Sequence, residues 1–219
     1  MKIEHVVSVF ESVNDGSDVS IFGTTKKLEG KDTILENIAE FKFELGPDTF
    51  FQLNPVQTEK LYEAVKKVCK LSKKETVLDL YCGVGTIGIY LSKLAKEIIG
   101  VEVNEISIEN AKTNAVLNKV QNAKFFAGRV DEVLPKVIRE NNVDVLVCDP
   151  PRTGLEEYVC KTILKSGINR VVYVSCNPST LAKDLALLSE KYTVKSIQPV
   201  DMFPQTSHVE SVTLLELKK

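Results

Sequence analysis

Histidine is scarce in this chain of 219 residues: His5 and His208 are the only two, far apart. Zinc sites draw on clustered histidine and paired cysteine, so a zinc centre is not expected. Cysteine is present but unpaired in pattern. Cys69, Cys82, Cys148, Cys160 and Cys176 are odd in number and irregular in spacing, with no C-x-x-C among them. A disulfide framework is therefore excluded as the organising device. No apolar run approaches the length of a membrane span. Residues 1–15 lack a basic flank followed by an apolar core, so no secretory signal is read and a cytoplasmic protein is the default expectation. Internal repeats and low-complexity tracts are also missing. A strong basic excess is missing too. Residues 1–50 hold 5 basic and 10 acidic side chains and the remainder 23 and 20, for a net charge of −2. A protein that grips nucleic acid by charge alone carries more. Any RNA contact would need its basic residues on one face, or help from a further segment.

What is there is ordinary globular composition, 43% hydrophobic and 26% charged. Residues 6–49 read mostly as β. "VVSVF" and "DVSIFG" flank the turn signal "NDGSD", and "AEFKFEL" alternates apolar and polar. This is too little for an independent core, so residues 1–50 are read as a β-rich annex, the remnant of a central RNA-binding region. From Asn54 the pattern changes. "NPVQTEKLYEAVKKVCKL" has an Asn cap, Pro at the first helical position, and apolar residues at 61, 64, 65 and 68. From residue 76, strands and helices alternate: "TVLDLY", "EIIGVEV", "AKFFAG", "VDVLVCD" and "RVVYVSC" are separated by amphipathic stretches. That spacing predicts βαβ units and a parallel sheet over residues 51–219. "TVKSIQPV" and "ESVTLLEL" follow without an intervening helix, which suggests a final antiparallel pair at the sheet edge.

Ligands of such sheets bind beyond the carboxyl ends of the strands. Four strands end there in notable residues: "DLYCGVG", "VEVNE", "CDPPR" and "SCNP". In the first, Gly83 and Gly85 permit close backbone approach, although a tight turn is the plain alternative. Glu102 follows Gly83 by 19 residues, at the tip of the next strand. An acid there suits a ribose diol, a solvated loop acid being the alternative. Gly88 falls one residue late for a dinucleotide fingerprint, so a nucleoside cofactor without pyrophosphate fits better than NAD. In "CDPPR" two prolines make a loop poor in N–H donors, from which Asp149 would point into the crevice or cap a turn. Gln52, in "FFQLNP", could reach the crevice from outside the sheet. Cys176 sits at a strand tip where a helix starts with Asn177 and Pro178. With metal and disulfide lacking partners, it is either a buried, inert cysteine or a nucleophile whose thiolate the helix N-terminus favours. Cys69, Cys148 and Cys160 fit the inert reading, and Cys82 lies beside the glycine turn.

"DLYCGVGTIG", "GVEVNEISIENAKTNAVLN", "VCDPPRTGL", "FFQLNPVQTEKL", "VVYVSCNPSTLAKDL" and "FPQTSHVESV" together resemble the motifs of S-adenosylmethionine-dependent methyltransferases. More narrowly they resemble the RNA uracil carbon-5 methyltransferases, which make 5-methyluridine in tRNA and ribosomal RNA. The resemblance implies a Rossmann-like, doubly wound α/β sheet of seven strands. It implies that Gln52, Tyr81, Gly83, Glu102 and Asp149 bind S-adenosyl-L-methionine, with S-adenosyl-L-homocysteine as product. Tyr81 has core packing as its alternative, and an exposed ring edge at the strand tip is the expectation. Thr86 stands where some relatives carry Asn, so that contact is not carried over.

The chemistry implied is specific. Carbon 5 of uracil is a weak nucleophile until a thiolate adds to carbon 6. The activated carbon 5 attacks the sulfonium methyl group, a base then removes the remaining carbon-5 proton, and the thiolate leaves. The resemblance assigns the thiolate to Cys176 and the base to Glu210, with His208 as the rival base. Arg152 and Lys183 are either phosphate contacts or surface charges. The implied partner is RNA, ribosomal or transfer. No metal, no membrane and no obligate protein partner are expected. The family's N-terminal oligonucleotide-binding barrel and the iron–sulfur cluster of some members have no counterpart here, since no Cys precedes residue 69. The alternatives are amino methylation of a purine and a non-catalytic cofactor- or RNA-binding fragment. Against the first, an aromatic ring usually follows Asp/Asn-Pro-Pro, and here Arg152 does.

Overall fold

The computed structural model describes residues 3–14 and 23–219. Two short hairpins come first. Strand β1 (Ser8–Val13) pairs antiparallel with β2 (Thr24–Gly30), and β3 (Ile34–Ile38) with β4 (Phe41–Leu45). The expected turn at "NDGSD" and most of "DVSIFG" lie outside the described residues. The observed partner of β1 is instead "TTKKLEG".

Helix α1 (Pro55–Cys69) then opens the alternating part, where the sequence predicts it. Asn54 is its N-cap and accepts the Gln57 N–H at 3.2 Å, and Pro55 occupies the first turn. There follow β5 (Thr76–Leu80), α2 (Thr86–Leu91), a single 3-10 turn, β6 (Glu97–Glu102), α3 (Glu105–Leu117), β7 (Ala123–Ala127), α4 (Val130–Glu140), β8 (Val145–Cys148), α5 (Glu157–Ser166), β9 (Arg170–Ser175), α6 (Pro178–Leu188), β10 (Tyr192–Val200) and β11 (Glu210–Leu217). The main sheet has seven strands in the order β10-β11-β9-β8-β5-β6-β7. β7, β6, β5, β8 and β9 run parallel; β11 is antiparallel to both its neighbours. The final pair therefore forms one edge, with β11 on its inner side.

Both faces of this sheet are covered, which is why β5, β8 and most of β9 are continuously buried and, apart from Thr76, Asp79 and Ser175, apolar. Alternation sorts the side chains. Val77, Val145, Val147, Val172, Val174 and Val212 join the apolar cluster that holds α1, α2 and the β3–β4 hairpin. Leu78, Leu80, Leu146, Cys148, Tyr173 and Leu215 join the cluster beneath α4, α5 and α6. The β3–β4 hairpin is tied down by two asparagines of α3. Asn118 and Asn114 sit one helical turn apart and act as a strand partner for β4. Lys42 N–H donates to Asn118 Oδ1 at 2.9 Å and Glu44 N–H to Asn114 Oδ1 at 2.7 Å. Asn114 Nδ2 also donates to the Val84 carbonyl at 3.2 Å, linking that hairpin to the glycine turn after β5.

Candidate active site at the strand tips

Strand parity aims a set of acids and one thiol at the same end of the sheet. Asp79 and Asp149 share the parity of Val77 and Val147, and Cys176 that of Val172 and Val174. Glu210 continues the row of Val212 and Leu214 on β11. The register brings the last two together. Ser211 pairs with Ser175 as the last step of the ladder, so Glu210 and Cys176 are the residues just beyond its end. Ser211 Oγ donates to the Ser175 carbonyl at 3.4 Å. Ser175 and Asn177 clasp each other around Cys176: Asn177 N–H donates to Ser175 Oγ, which donates to the Asn177 carbonyl, each at 3.1 Å.

The turn after β5 is built for backbone access. Tyr81, Gly83 and Gly85 all have positive φ. A Cβ on Gly83 would meet no atom within 4 Å, so that side of the backbone is open. Gly83 N–H donates to Glu102 Oε2 at 3.2 Å, and Asn104 N–H donates to Glu102 Oε1 at 2.9 Å. Glu102 is thereby fixed at the tip of β6 beside the glycine turn. Gln52 is buried in the segment entering α1. That segment is fastened to the one before β11 by Asn54 Nδ2 donating to the Met202 carbonyl at 2.9 Å.

Tyr81 is half-buried. Its left-handed backbone, φ 62°, breaks the alternation of β5 and packs one side of the ring against the cluster beneath α4–α6. Burial raises its phenol well above the ordinary value, with Cys148 and Glu156 adding to the effect.

The site is electrostatically frustrated. Burial lifts the Asp149 carboxyl to about 8, with Glu210 and then Asp79 contributing. Burial raises Glu210 as well, and Arg152 pulls it back. Cys176 is half-buried, whereas the other four cysteines are buried. Burial pushes Cys69 and Cys160 up to about 12, in keeping with inert core thiols. Cys176 itself is also raised, first by burial, then by Glu210 and Asp149, with Arg152 opposing. This corrects the expectation that the helix start holds the sulfur charged. Pro178 has no N–H, and the Ser179 N–H is taken by Asn177 Oδ1 at 3.0 Å. The first turn of α6 has spent those donors on its own cap.

One residue of the site escaped the sequence reading. Asp79 lies inside the quoted "DLY" but was given no role. It is fully buried, and its Oδ2 accepts the Gly88 N–H at 2.9 Å. Its Oδ1 has no hydrogen-bond partner among the described residues. Burial raises its carboxyl to about 7, the Gly88 N–H opposing and Glu102 adding. Gly88 is explained at the same time: a Cβ there would lie 2.8 Å from Ile98 Cγ2 and 3.1 Å from Asp79 Oδ2. It is a packing glycine between α2 and the sheet. Tyr62, near Asp149 and Asp79, donates from Oη to Thr86 Oγ1 at 2.7 Å. His208 is exposed, in the segment before β11.

Comparison with known proteins agrees with this arrangement. Residues 26–218 match the family model for tRNA (Uracil-5-)-methyltransferase. An uncharacterized RNA methyltransferase of Listeria monocytogenes is 47% identical over 99% of this chain and 48% of its own length. One of Enterococcus faecalis is 48% identical over 97% of this chain and 47% of its own. The chain thus spans about half the length of these relatives. The crystal structure of Pyrococcus abyssi tRNA (uracil-54, C5)-methyltransferase in complex with S-adenosyl-L-homocysteine superposes with a TM-score of 0.80 at 36% identity, over 95% of this chain and 50% of that one. A tRNA m1G37 methyltransferase from M. jannaschii, at 18% identity and a TM-score of 0.66 over 89% of this chain and 60% of that one, shares the fold. With the family model spanning nearly all of the methyltransferase sheet, this chain belongs to the tRNA (uracil-5-)-methyltransferase family.

Proposed function

We propose that this chain transfers a methyl group from S-adenosyl-L-methionine to carbon 5 of a uridine in tRNA or ribosomal RNA. The observation that carries the reading is the end of the β9–β11 ladder, Ser175 opposite Ser211, beyond which a half-buried Cys176 and a buried Glu210 are the next residues, with Glu210 and Asp149 both close enough to act on the thiol. Residues 51–219 are assigned to methyl transfer, and residues 1–50 to an annex left from a larger RNA-binding region. The reading implies the cytoplasm, where both RNAs are found, and requires no protein partner.

The crevice fits the cofactor chemically. An open glycine backbone at Gly83, a carboxylate fixed at Glu102, the buried Gln52, the buried acid Asp79 and the half-buried acid Asp149 supply the mixed donors and acceptors that a ribose, an amino acid and an adenine need. The chain has one further property suited to a sulfonium: its buried carboxyls become charged when a cation approaches. Gln52, Tyr81, Gly83, Glu102 and Asp149 are the residues assigned to it. When bound, S-adenosyl-L-methionine supplies an electrophilic methyl group and carries a positive charge.

Cys176 adds as thiolate to carbon 6 of a uridine turned out of its stack. The carbon 5–carbon 6 π pair shifts to form an enolate, and carbon 5 would then take the methyl group that bound S-adenosyl-L-methionine supplies, the sulfonium electron pair staying with S-adenosyl-L-homocysteine. Glu210, its carboxyl raised by burial, then takes the carbon-5 proton, and the thiolate leaves. Of the charged groups of this chain that act on Cys176, Arg152 is the one that favours its thiolate.

RNA containing 5-fluorouridine tests this directly, because fluorine replaces the proton that Glu210 must remove. With S-adenosyl-L-methionine, the unmodified chain should form a covalent RNA adduct, and Cys176→Ala should form none and lose turnover by at least about a thousandfold. An adduct that survives Cys176→Ala refutes the nucleophile. Methylated purine without an adduct would instead indicate amino methylation, and neither product a non-catalytic fragment.

A further inference from the structure

The loop from β8 to α5 begins at Asp149 and continues through Pro150, Pro151, Arg152, Thr153 and Gly154. Neither proline has an N–H, so the loop offers few backbone donors by which the protein can hold it. At its start, Asp149 N–H reaches the Leu80 carbonyl at only 3.4 Å. Gly154 N–H turns inward to the Pro151 carbonyl at 2.9 Å. The firm outside anchors come from α6 and its cap. Asn177 Nδ2 and Thr180 Oγ1 donate to the Arg152 carbonyl at 3.1 and 3.2 Å. Leu155 N–H donates to Asp184 Oδ2 at 2.7 Å, and Tyr173 Oη of β9 donates to the same oxygen at 2.7 Å.

Asp184 is an unusual occupant of its position. It is 1% exposed, on the apolar face of α6 between Leu181 and Leu188, and its Oδ1 has no hydrogen-bond partner among the described residues. A buried acid with an orphan oxygen costs stability that a leucine there would not. The loop has also adapted to it. Gly154 has φ +78°, and a Cβ on it would lie 2.5 Å from Asp184 Oδ2. Only a glycine lets the backbone descend onto the carboxylate.

We propose that Asp184 is a positioning residue, which holds the Asp149–Gly154 loop against α6 so that Arg152 stays beside Cys176 and Glu210. The proposal rests on the reading of Cys176 as nucleophile. Cys176 is faced by Glu210 from β11, by Asp149 from the end of β8 and by Arg152 from the loop. The two carboxyls and burial work against the thiolate, and Arg152 works for it. A loop released from α6 lets Arg152 drift and leaves the carboxyls unopposed.

The test uses the intact chain without cofactor or RNA. The rate of Cys176 alkylation by iodoacetamide, in which the thiolate displaces iodide, is followed from pH 6.5 to 10 by peptide mass. In Asp184→Ala the rate at pH 7.5 should fall about three- to tenfold, with the profile displaced to higher pH. Asp184→Asn, whose amide oxygen still accepts the Leu155 N–H, should recover most of the loss. Thr180→Val removes a different anchor from a half-buried position and should lower the rate about twofold. An unchanged pH profile in folded Asp184→Ala overturns the proposal. Should that variant not fold, an unchanged profile in Thr180→Val overturns it. Failure of the functional reading shows elsewhere, as absence of a 5-fluorouridine adduct with the unmodified chain.

Discussion

The turns after β5 and after β9 both lead from a buried strand into a helix, and they are built in opposite ways. The first bends through three positive-φ residues, Tyr81, Gly83 and Gly85, and its helix starts without a side-chain cap. The second starts in extended backbone, with Asn177 at φ −138°, and closes its helix end with an Asn cap and a proline. One turn exposes backbone and leans its side chain, Tyr81, half-buried against the core. The other satisfies its backbone and presents a side chain, Cys176. A surface that must lie close to a small ligand needs the first arrangement. A group that must form a bond needs the second, since a nucleophile is useful only where its position is over-determined.

That contrast can be broken by glycine substitution. Gly85 has φ +82°, and a Cβ would sit 3.1 Å from the Phe125 ring and 3.2 Å from Ala111 Cβ. Gly85→Ala should therefore cost about 2–3 kcal/mol, from backbone strain and crowding together. Gly83 has φ +53° with open space, so Gly83→Ala should cost only about 1 kcal/mol. It should nevertheless weaken S-adenosyl-L-homocysteine more than its stability cost suggests. Urea unfolding and calorimetric titration measure the two quantities. Equal stability losses would mean that Gly83 is structural like Gly85.

The second turn is sharpened by Asn177→Ala. That change removes the acceptor for Ser179 N–H and the donor to the Arg152 carbonyl, and should cost about 1–2 kcal/mol by urea unfolding.

The smallest expected effect is a slope with pH. Asp79 and Asp149 hold their protons to about 7 and about 8 in the fold, above the ordinary carboxylate range. Their contribution to stability is complete below that range and is lost as pH rises through the folded values. The thermal midpoint of the ligand-free chain should fall between pH 5 and pH 8.5, and Asp149→Asn should flatten the fall. A midpoint that instead rises over this interval would show that these acids are ionised in the free protein.

Much of this was legible in the sequence because it is local. The Asn54–Pro55 start of α1, the parallel strands and the convergence of four strand tips follow from caps and periodicity. Three things were not. β2, "TTKKLEG", is exposed at nearly every position, so it carries no alternation to find. The helix N-terminus at Asn177 suggested a charged thiol, but the strength of a helix end depends on which N–H groups are already engaged. Asp79 and Asp184 could have been suspected. One is an acid within a wholly buried strand. The other occupies the i+3 position between core leucines of α6. Both break the pattern their element otherwise keeps, and such a break is where function and packing compete. What no local pattern reveals is what each acid touches.

The insertion of β11 also sets a timetable. Ser175 and Ser211, whose pairing aligns Cys176 with Glu210, are 36 residues apart in sequence. β5, β6, β7 and β8 come earlier in the chain, so the glycine turn and the tips of β6 and β8 are in hand before Glu210. On the proposed assignment the thiol would be present before its base, and the two would meet only once β11 lies between β9 and β10.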